Sequence, residues 1–423
     1  MDSNSFFRLT SLGLLLLTIV LAGLAPGSAR ASPGWYNASW DYRKKITINS
    51  ANVSADLTDF PVLINLASDS DLASDAQDNG NDILFTAADE VTRLSHEIES
   101  FNGTSGQLVA WVKVPNLSSA TDTELYMYYG NSESGNSENM TAVWDSNYKM
   151  VQHLQETTGG ANAIEDSTSN ANHGTDNNSP TFSASGQIDG AISFDGIDDD
   201  IKVNDSSSLD ITNSITLEAW VKPVTDTNHR RIMVKSHSSW AEPYYMYSLW
   251  VYSNQLGFGI YDGTTRHWQT YGAITDNVMH YVAGTYNGTH QKWYINGVSV
   301  GTDNFITSIA TNNETLLIGN ALGPNLEFDG TIDEVRISNT ARSSGWILTS
   351  YNNQNNPSAF ITLGAAEARS PASVGGIVYP VNKLQVMAPW LFLLLMLSLA
   401  ITTAVLYLKV RIVPVFFHQQ QRE

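Results

Sequence analysis

The sequence predicts an all-β fold, with two β-sandwich domains in tandem followed by a single C-terminal transmembrane helix. Three observations carry this. Between Tyr42 and Tyr129, apolar and polar residues alternate in short runs separated by Gly, Asn, Asp and Ser clusters, with no helical periodicity of useful length. Between Met279 and Thr302, the pairs Asn287-Gly288 and Asn296-Gly297 interrupt such runs. Asn and Gly tolerate the positive φ of tight hairpins, so this segment reads as a three-strand antiparallel meander. Finally, Met387 to Leu408 is apolar and carries no charge.

In chain order, residues 1–31 read as a signal peptide. Arg8 precedes the apolar run Leu12 to Leu24, and Ala29-Arg30-Ala31 supplies the small residues a signal peptidase requires. The other reading of this segment is a retained first transmembrane helix. Residues 32–140 form the first domain, with strands expected at Tyr42–Ile48, Phe60–Leu66, Asp82–Thr86, Leu94–Ile98, Leu108–Val114 and Leu125–Tyr129. The polar stretch Asn131–Thr141 links it to the second domain, residues 141–364. Within that domain, Gly159 to Phe182 is rich in Asn, Ser and Gly and is expected to be a long surface loop.

Residues 365–385 contain Ser, Pro and Gly and read as a stalk. Residues 386–408 follow as the transmembrane helix; at ~1.5 Å per residue the uncharged run spans roughly 33 Å, enough for a bilayer. Trp390 and Tyr407 lie near its ends, where amphipathic rings prefer to sit. Lys409, Arg411 and Arg422 lie in the tail, residues 409–423, and place it in the cytoplasm, with the bulk of the chain outside. This is a single-pass type I arrangement at the cell membrane. A buried core helix is the alternative for such a run, but its uniform hydrophobicity argues against that.

Several phrases carry family resemblances. GQIDGAISFDGIDDDIKV, ITLEAWVKP, MHYVAGTYNGTHQKWYINGVSVGT and EFDGTIDEVRIS resemble the laminin-G-like, concanavalin A-type jelly-roll domain, over roughly residues 148–341. Its first strand departs from the pattern, with Gln152-His153-Leu154 where a Trp-His-Leu-like triplet is usual. WDYRKKITI, FPVLINL, DILFTAAD, LSHEIESF, AWVKVPNL and LYMYYGN resemble a prokaryotic module of unknown function that often precedes such a domain. The segment RSSGWILTSYNNQNNPSAFITLG resembles the tail that follows this pair, and is expected to pack back through Trp346 and Tyr351. The resemblance implies binding of glycans or other surface molecules, seldom catalysis, and many such domains bind calcium.

Composition excludes several partners. Residues 32–366 hold 39 acidic and 15 basic side chains, a net charge of −24. Such a surface repels nucleic acid and gathers divalent cations. With no cysteine in the chain, there is no disulfide framework, thiolate metal site or thiol nucleophile. Extracellular animal modules of this type usually carry disulfides, so a bacterial or archaeal surface protein is expected. Nine Asn-x-Ser/Thr sequons suit a glycosylated surface, although an Asn-, Ser- and Thr-rich chain generates many by chance.

Three groups of residues have chemical potential. Glu97 and Glu99 alternate on one strand, with His96 on the opposite face. They read as solvent-facing positions of a half-buried strand, the alternative being a glycosidase acid pair. Asp195, Asp198 and Asp199 lie in a dense acidic loop that could supply oxygens to calcium or simply form turns, as Asp-Gly pairs do. Asp333 and Glu334 recur in the family phrase, and for Asp333 a structural, turn-capping role is favoured over metal ligation.

The third group is aromatic. Period two places Tyr245, Tyr247, Leu249 and Val251 on one face of a strand, and Tyr244, Met246, Trp250 and Tyr252 on the other. One face closes the sandwich. The second either presents Trp250, Tyr252 and, from the next hairpin, Trp268 to a sugar, with Arg266 and His267 as hydrogen-bond donors, or lies covered in a core.

The functional expectation is a noncatalytic, membrane-anchored surface protein that recognises a glycan or another surface component. A membrane-tethered glycan-active enzyme and a purely architectural envelope protein are the alternatives.

Overall fold

The structure, a computed structural model, describes residues 34–224, 228–237, 243–323, 325–369 and 392–404. The segment 1–31 expected to be a signal peptide, most of the expected stalk and the tail 409–423 lie outside the described residues. The chain divides into a large unit ending at Arg369 and a second unit beginning at Ser370.

The large unit is almost entirely β-structure. Its N-terminal part contains a three-stranded antiparallel sheet ordered Leu57–Leu66, Gln107–Leu117, His96–Asn102. A second sheet is ordered Ile361–Ala368, Tyr42–Ile48, Thr123–Tyr129, Leu84–Ala87, Arg93–Leu94. Ile46, Ile48, Phe60, Val62, Ile64, Phe85 and Val112 are buried between them, as alternation requires of two facing sheets. The expected strand Leu94–Ile98 is in fact two. It breaks at Ser95, and its halves pair in different sheets.

One edge of this N-terminal part comes from the far end of the chain. Ile361–Ala368 pairs antiparallel with Tyr42–Ile48, and Arg369 N–H donates to Asp41 O at 2.7 Å. The strand therefore extends into residues read as the start of the stalk. The preceding helix, Ser344–Asn355, is capped by Ser343, whose side chain accepts from Trp346 N–H. Trp346 packs edge-on against Phe60 with ring centres 4.9 Å apart, and Tyr351 stacks on Trp220 at 5.9 Å. Both residues expected to anchor the tail do so.

The second part is a sandwich of two larger sheets. The first is ordered Thr181–Ser185, Gly190–Asp195, Asp329–Ser338, Ile215–Pro223, His280–Tyr286, His290–Ile295, Val298–Asn304, with Tyr148–Gln152 also pairing to Asp329–Ser338. Its last three strands are the expected meander, and Asn296 (φ 50°) and Gly297 (φ 78°) take the left-handed turn the sequence called for. The facing sheet is ordered Arg266–Tyr271, Gln255–Tyr261, Tyr245–Tyr252, Arg230–Ser236, Leu316–Ile318, Asp200–Val203, Gly174–Asn177.

The stretch 159–182 is not simply a surface loop. Ile164, Asp166 and Ser167 are buried, and Asp166 accepts backbone N–H bonds from Val151, Thr168 and Asn172. A carboxylate that satisfies three backbone donors can hold an Asn- and Ser-rich segment inside, where it would otherwise leave polar groups unpaired.

The outer face of the first of these two sheets is not solvated. Tyr148, Val151, Trp220, Tyr281 and Tyr294 belong to the same buried cluster as Phe60, Trp111 and Trp346. The N-terminal part and the tail helix cover it, whereas the outer face of the Arg266-to-Asn177 sheet lies on the far side of the sandwich and carries its own small buried cluster of Val234, Tyr245, Trp250 and Leu317.

In the second unit, residues 392–404 are helical, and Phe392, Leu393, Leu394, Leu395, Leu397 and Ile401 are exposed. Among the described residues, no helix is long and apolar enough to cross a membrane.

Candidate functional site

A pocket of about 380 Å³ opens on that far face. Trp250, Arg266 and Trp268 line it together with His229, Arg231, Tyr244 and Tyr245. Tyr252 adjoins it, with its ring stacked on His229 at 4.1 Å between centres. Three of the four residues expected from the sequence to contact a ligand thus line one pocket, and the fourth, Tyr252, lies beside it.

Strand irregularities decide which side chains arrive there. Between Arg230–Ser236 and Tyr245–Tyr252, Ser236 faces Tyr245 whereas Lys235 faces Tyr247. The bulge inserts Met246, which reverses the side of Tyr245, the first residue of the strand. Met246 consequently joins the sandwich core with Tyr247, Leu249 and Val251, while Tyr245 crosses to the pocket side with Trp250. The assignment from strict period two is wrong at these two positions. A second bulge at Ile232 does the same for the partner strand, putting Arg231 opposite Trp250 on the pocket side although Ile232 and Met233 both enter the core.

Trp250 is only 1 % exposed, so it forms the pocket wall and not an open platform. Its ring lies over the neighbouring strand at Gly257, where any Cβ would collide with the indole. Trp268, 39 % exposed, forms the outer lip, with ring centres 6.1 Å from Trp250. His267 points elsewhere. It stacks on Phe305 at 4.0 Å, and its Nε2 lies 2.9 Å from Asp262 Oδ2. Alternation along Arg266–Tyr271 separates it from Arg266 and Trp268.

The electrostatics are cationic. The Arg231 guanidinium carbon sits 4.7 Å from the centre of the Trp250 ring and 5.3 Å from that of Tyr245, and Nη1 donates to Ser248 Oγ at 3.1 Å. The Arg266 guanidinium lies 4.7 Å over Tyr244. Burial, reinforced by Arg231 and Arg266, holds the His229 imidazole down at about 4, so this ring is neutral at ordinary pH. No carboxylate is among the described lining residues. His229, Arg231 and Tyr245 were not identified from the sequence, whereas Tyr244 lies on the side that alternation gave it. The two residues that flank the bulges carried no periodic signal that could have revealed them.

The acidic loop after Gly190–Asp195 does converge. One carboxylate oxygen each of Asp195, Asp198 and Asp199 lies within 4.8 Å of the others. Asp195 Oδ1 accepts from Ile197 N–H at 2.8 Å, and Asp199 Oδ2 from Asp195 N–H at 3.0 Å. Burial, and repulsion from Asp195 and Asp198, raise the Asp199 carboxyl above its ordinary range. The arrangement serves as a turn and leaves further oxygens available for a cation.

Glu97 and Glu99 are not solvent-facing. They are 4 % and 7 % exposed, at the junction of the two β parts. Glu97 accepts from Trp144 Nε1 at 2.9 Å and Ser167 Oγ at 2.6 Å; Glu99 accepts from Trp111 Nε1 at 2.8 Å. His153 lies between them, 3.4 Å from each, with Nδ1 2.8 Å from Glu334 Oε1. Glu334 in turn pairs with Arg336, whose guanidinium covers Trp111 and Trp144 at 4.3 and 4.9 Å. A bulge turns Glu334 towards this cluster, in the left-handed region at φ 54°. Asp333 has the structural role expected, with Oδ2 accepting from Gln187 and Ile188 N–H at 2.7 and 3.1 Å.

Burial pushes Glu99 up to about 8. His153 is raised well above its ordinary value, because Glu334, Glu99 and Glu97 outweigh the opposing burial. These carboxylates are buried and bind the two β parts together, and none of them lines the pocket described above, which is not the open setting a glycosidase pair uses.

Residues 195–348 match the concanavalin A-like lectin/glucanases superfamily, and residues 79–164 match a domain of unknown function (DUF2341). The chain thus carries a laminin-G-like domain preceded by that module. No curated protein is found to be similar.

Similar solved structures include the binding domain of Paraclostridial Mosquitocidal Protein 1, at 12 % identity over 48 % of this chain and 52 % of that one, TM-score 0.41. They also include domain 4 of AbnA, a GH43 extracellular arabinanase from Geobacillus stearothermophilus in complex with arabinotriose, at 19 % identity over 48 % and 98 %, TM-score 0.39. The botulinum neurotoxin serotype G binding domain is 13 % identical over 48 % and 50 %, TM-score 0.38. The chain spans about half the length of the first and third of these.

Proposed function

We propose that this chain is a noncatalytic binding protein of the cell surface, held by a single transmembrane segment, that recognises a glycan through its laminin-G-like domain. The observation that carries the reading is the pocket between Trp250 and Trp268, on the sandwich face opposite the one that the N-terminal part and the tail helix cover. Indole and phenol rings give flat apolar surfaces with polar edges, which suits the C–H faces of a sugar, and a concave site of this size takes one or two rings. The anchor is supported by the uncharged run Met387–Leu408 and by the exposed leucines of the helix at 392–404. Calcium at Asp195, Asp198 and Asp199 belongs to the same proposal, supported by their convergence.

A glycan array probed with the full chain, with and without calcium, tests this. Retention of a glycan that Trp268→Ala weakens at least about tenfold supports it, a loss of ~1.4 kcal/mol. Silence throughout favours the architectural reading, and release of reducing ends would overturn the noncatalytic one. Calcium binding that survives Asp198→Ala would dismiss that loop as its site.

A further inference from the structure

Among the described residues of the large unit, six arginine and lysine side chains are buried: Arg43, Lys44, Arg231, Lys235, Arg336 and Arg342. Five have a carboxylate partner. Arg43 pairs with Glu90 and Glu367, Lys44 with Asp69 and Asp71, Lys235 with Asp205, Arg336 with Glu334 and Arg342 with Asp145. Arg231 has none among the described residues, in a chain with 42 acidic side chains and a net charge of −20.

A buried guanidinium without a counter-charge is costly, and proteins normally neutralise it. Here the π faces of Trp250 and Tyr245 and the Ser248 hydroxyl offset part of the cost. Arg231 Nε, however, has no acceptor among the described residues, and neither has Trp250 Nε1. His229 Nδ1, on the same pocket wall, is also without a partner among the described residues. Burial draws Arg231 down to about 10, with Arg266 adding repulsion, yet it remains a cation at physiological pH. The pocket wall is thus rich in donors, has no carboxylate among its described residues, and holds one unneutralised charge.

We infer that the missing partner arrives with the ligand, and that the pocket selects a sugar bearing a carboxylate, which Arg231 receives while Trp268 stacks on the ring. The planar guanidinium fork matches a carboxylate in two-point geometry. The carboxylate would replace the counter-ion that each of the other five buried cations finds within the protein. This rests on the glycan-binding reading above and adds the chemical class.

The test is an array in which each carboxylated oligosaccharide (hexuronic- and nonulosonic-acid series) is paired with its carboxyl-reduced counterpart, probed with the full chain, sodium sulfate serving as a ring-free anion. The expected result is retention of at least one carboxylated member, with its reduced form at least about tenfold weaker, since charge-assisted pairs are the stronger hydrogen bonds. Arg231→Gln should bring the two forms within about twofold of each other while a melting curve shows it folded.

Equal binding of both forms by the native chain, or retention of neutral glycans alone, overturns the acid preference and leaves glycan binding standing. Sulfate binding as tight as the oligosaccharide overturns the sugar requirement. No retention of any glycan overturns both readings. The comparison of paired glycans needs no variant, so a misfolded Arg231→Gln does not affect it.

Discussion

Arg231 and Trp250 face each other across two neighbouring strands, the guanidinium 4.7 Å from the indole centre, in a pocket where neither Arg231 Nε nor Trp250 Nε1 has a partner among the described residues. The pair separates two roles that the sequence treats alike. Trp250 is buried and Trp268 is 39 % exposed. Trp250→Ala should cost about 3–5 kcal/mol of stability, as for other fully buried aromatics. Trp268→Ala should stay within about 1 kcal/mol of the native chain while losing glycan retention. Melting temperature and array signal, read side by side, check this; equal destabilisation by both changes would refute the division.

Gly257 provides the space in which the Trp250 ring lies. Gly257→Ala should displace the indole, destabilise the domain by about 1–3 kcal/mol and shift tryptophan emission. Native emission and stability would show that the ring does not lie flat on that strand.

The junction cluster makes stability depend on pH. Glu99 has a folded-state value of about 8 against an ordinary 4.5, so the folded chain keeps its proton longer than the unfolded one. Its contribution is complete below pH 4.5 and declines as pH rises through about 8. His153, also raised, acts in the same direction: its contribution is present below its unfolded value and lost as pH passes the folded one. Glu334 is lowered, because His153 and Arg336 outweigh burial, and it contributes above its unfolded value and loses that at acid pH. Glu99→Gln, which keeps an acceptor for Trp111, should leave stability at pH 5 near native and raise it at pH 9 by up to a few kcal/mol, at ~1.4 kcal/mol per pH unit. Melting curves at the two pH values measure it, and a variant that loses as much as the native chain on the alkaline side would contradict the assignment.

The strand Ile361–Ala368 is the edge partner of Tyr42–Ile48 and brings Glu367 to Arg43. Ending the chain at residue 356 should leave that strand unpaired and the unit prone to aggregation, whereas ending it at 369 should preserve cooperative unfolding. Light scattering and calorimetry on the two truncations decide this, and indistinguishable behaviour would show the strand to be dispensable.

Much of the scaffold was legible because alternation and turn chemistry are local. Tyr42–Ile48 and the Asn-Gly meander fall where the pattern placed them. The errors cluster where the ladder is irregular. Met246 and Tyr245 exchange sides at a bulge, and Arg231 reaches the pocket through another. A bulge depends on how two strands fit together, and a single strand's period gives no sign of it. Glu97 and Glu99 looked solvent-facing for a similar reason. Their alternation marked a shared face, but Trp144, His153 and Glu334, which cover that face, lie far along the chain.

By itself, then, the sequence determined an acidic, cysteine-free, all-β chain with apolar runs near both ends, because those properties reside in composition and in short-range order. The tertiary structure decided which sheet face the N-terminal part covers, which carboxylates become internal ties, and that Arg231 alone among the buried cations lacks a carboxylate among the described residues. Those outcomes depend on pairing between distant segments, where burial makes an unpaired charge costly and so gives Arg231 its significance.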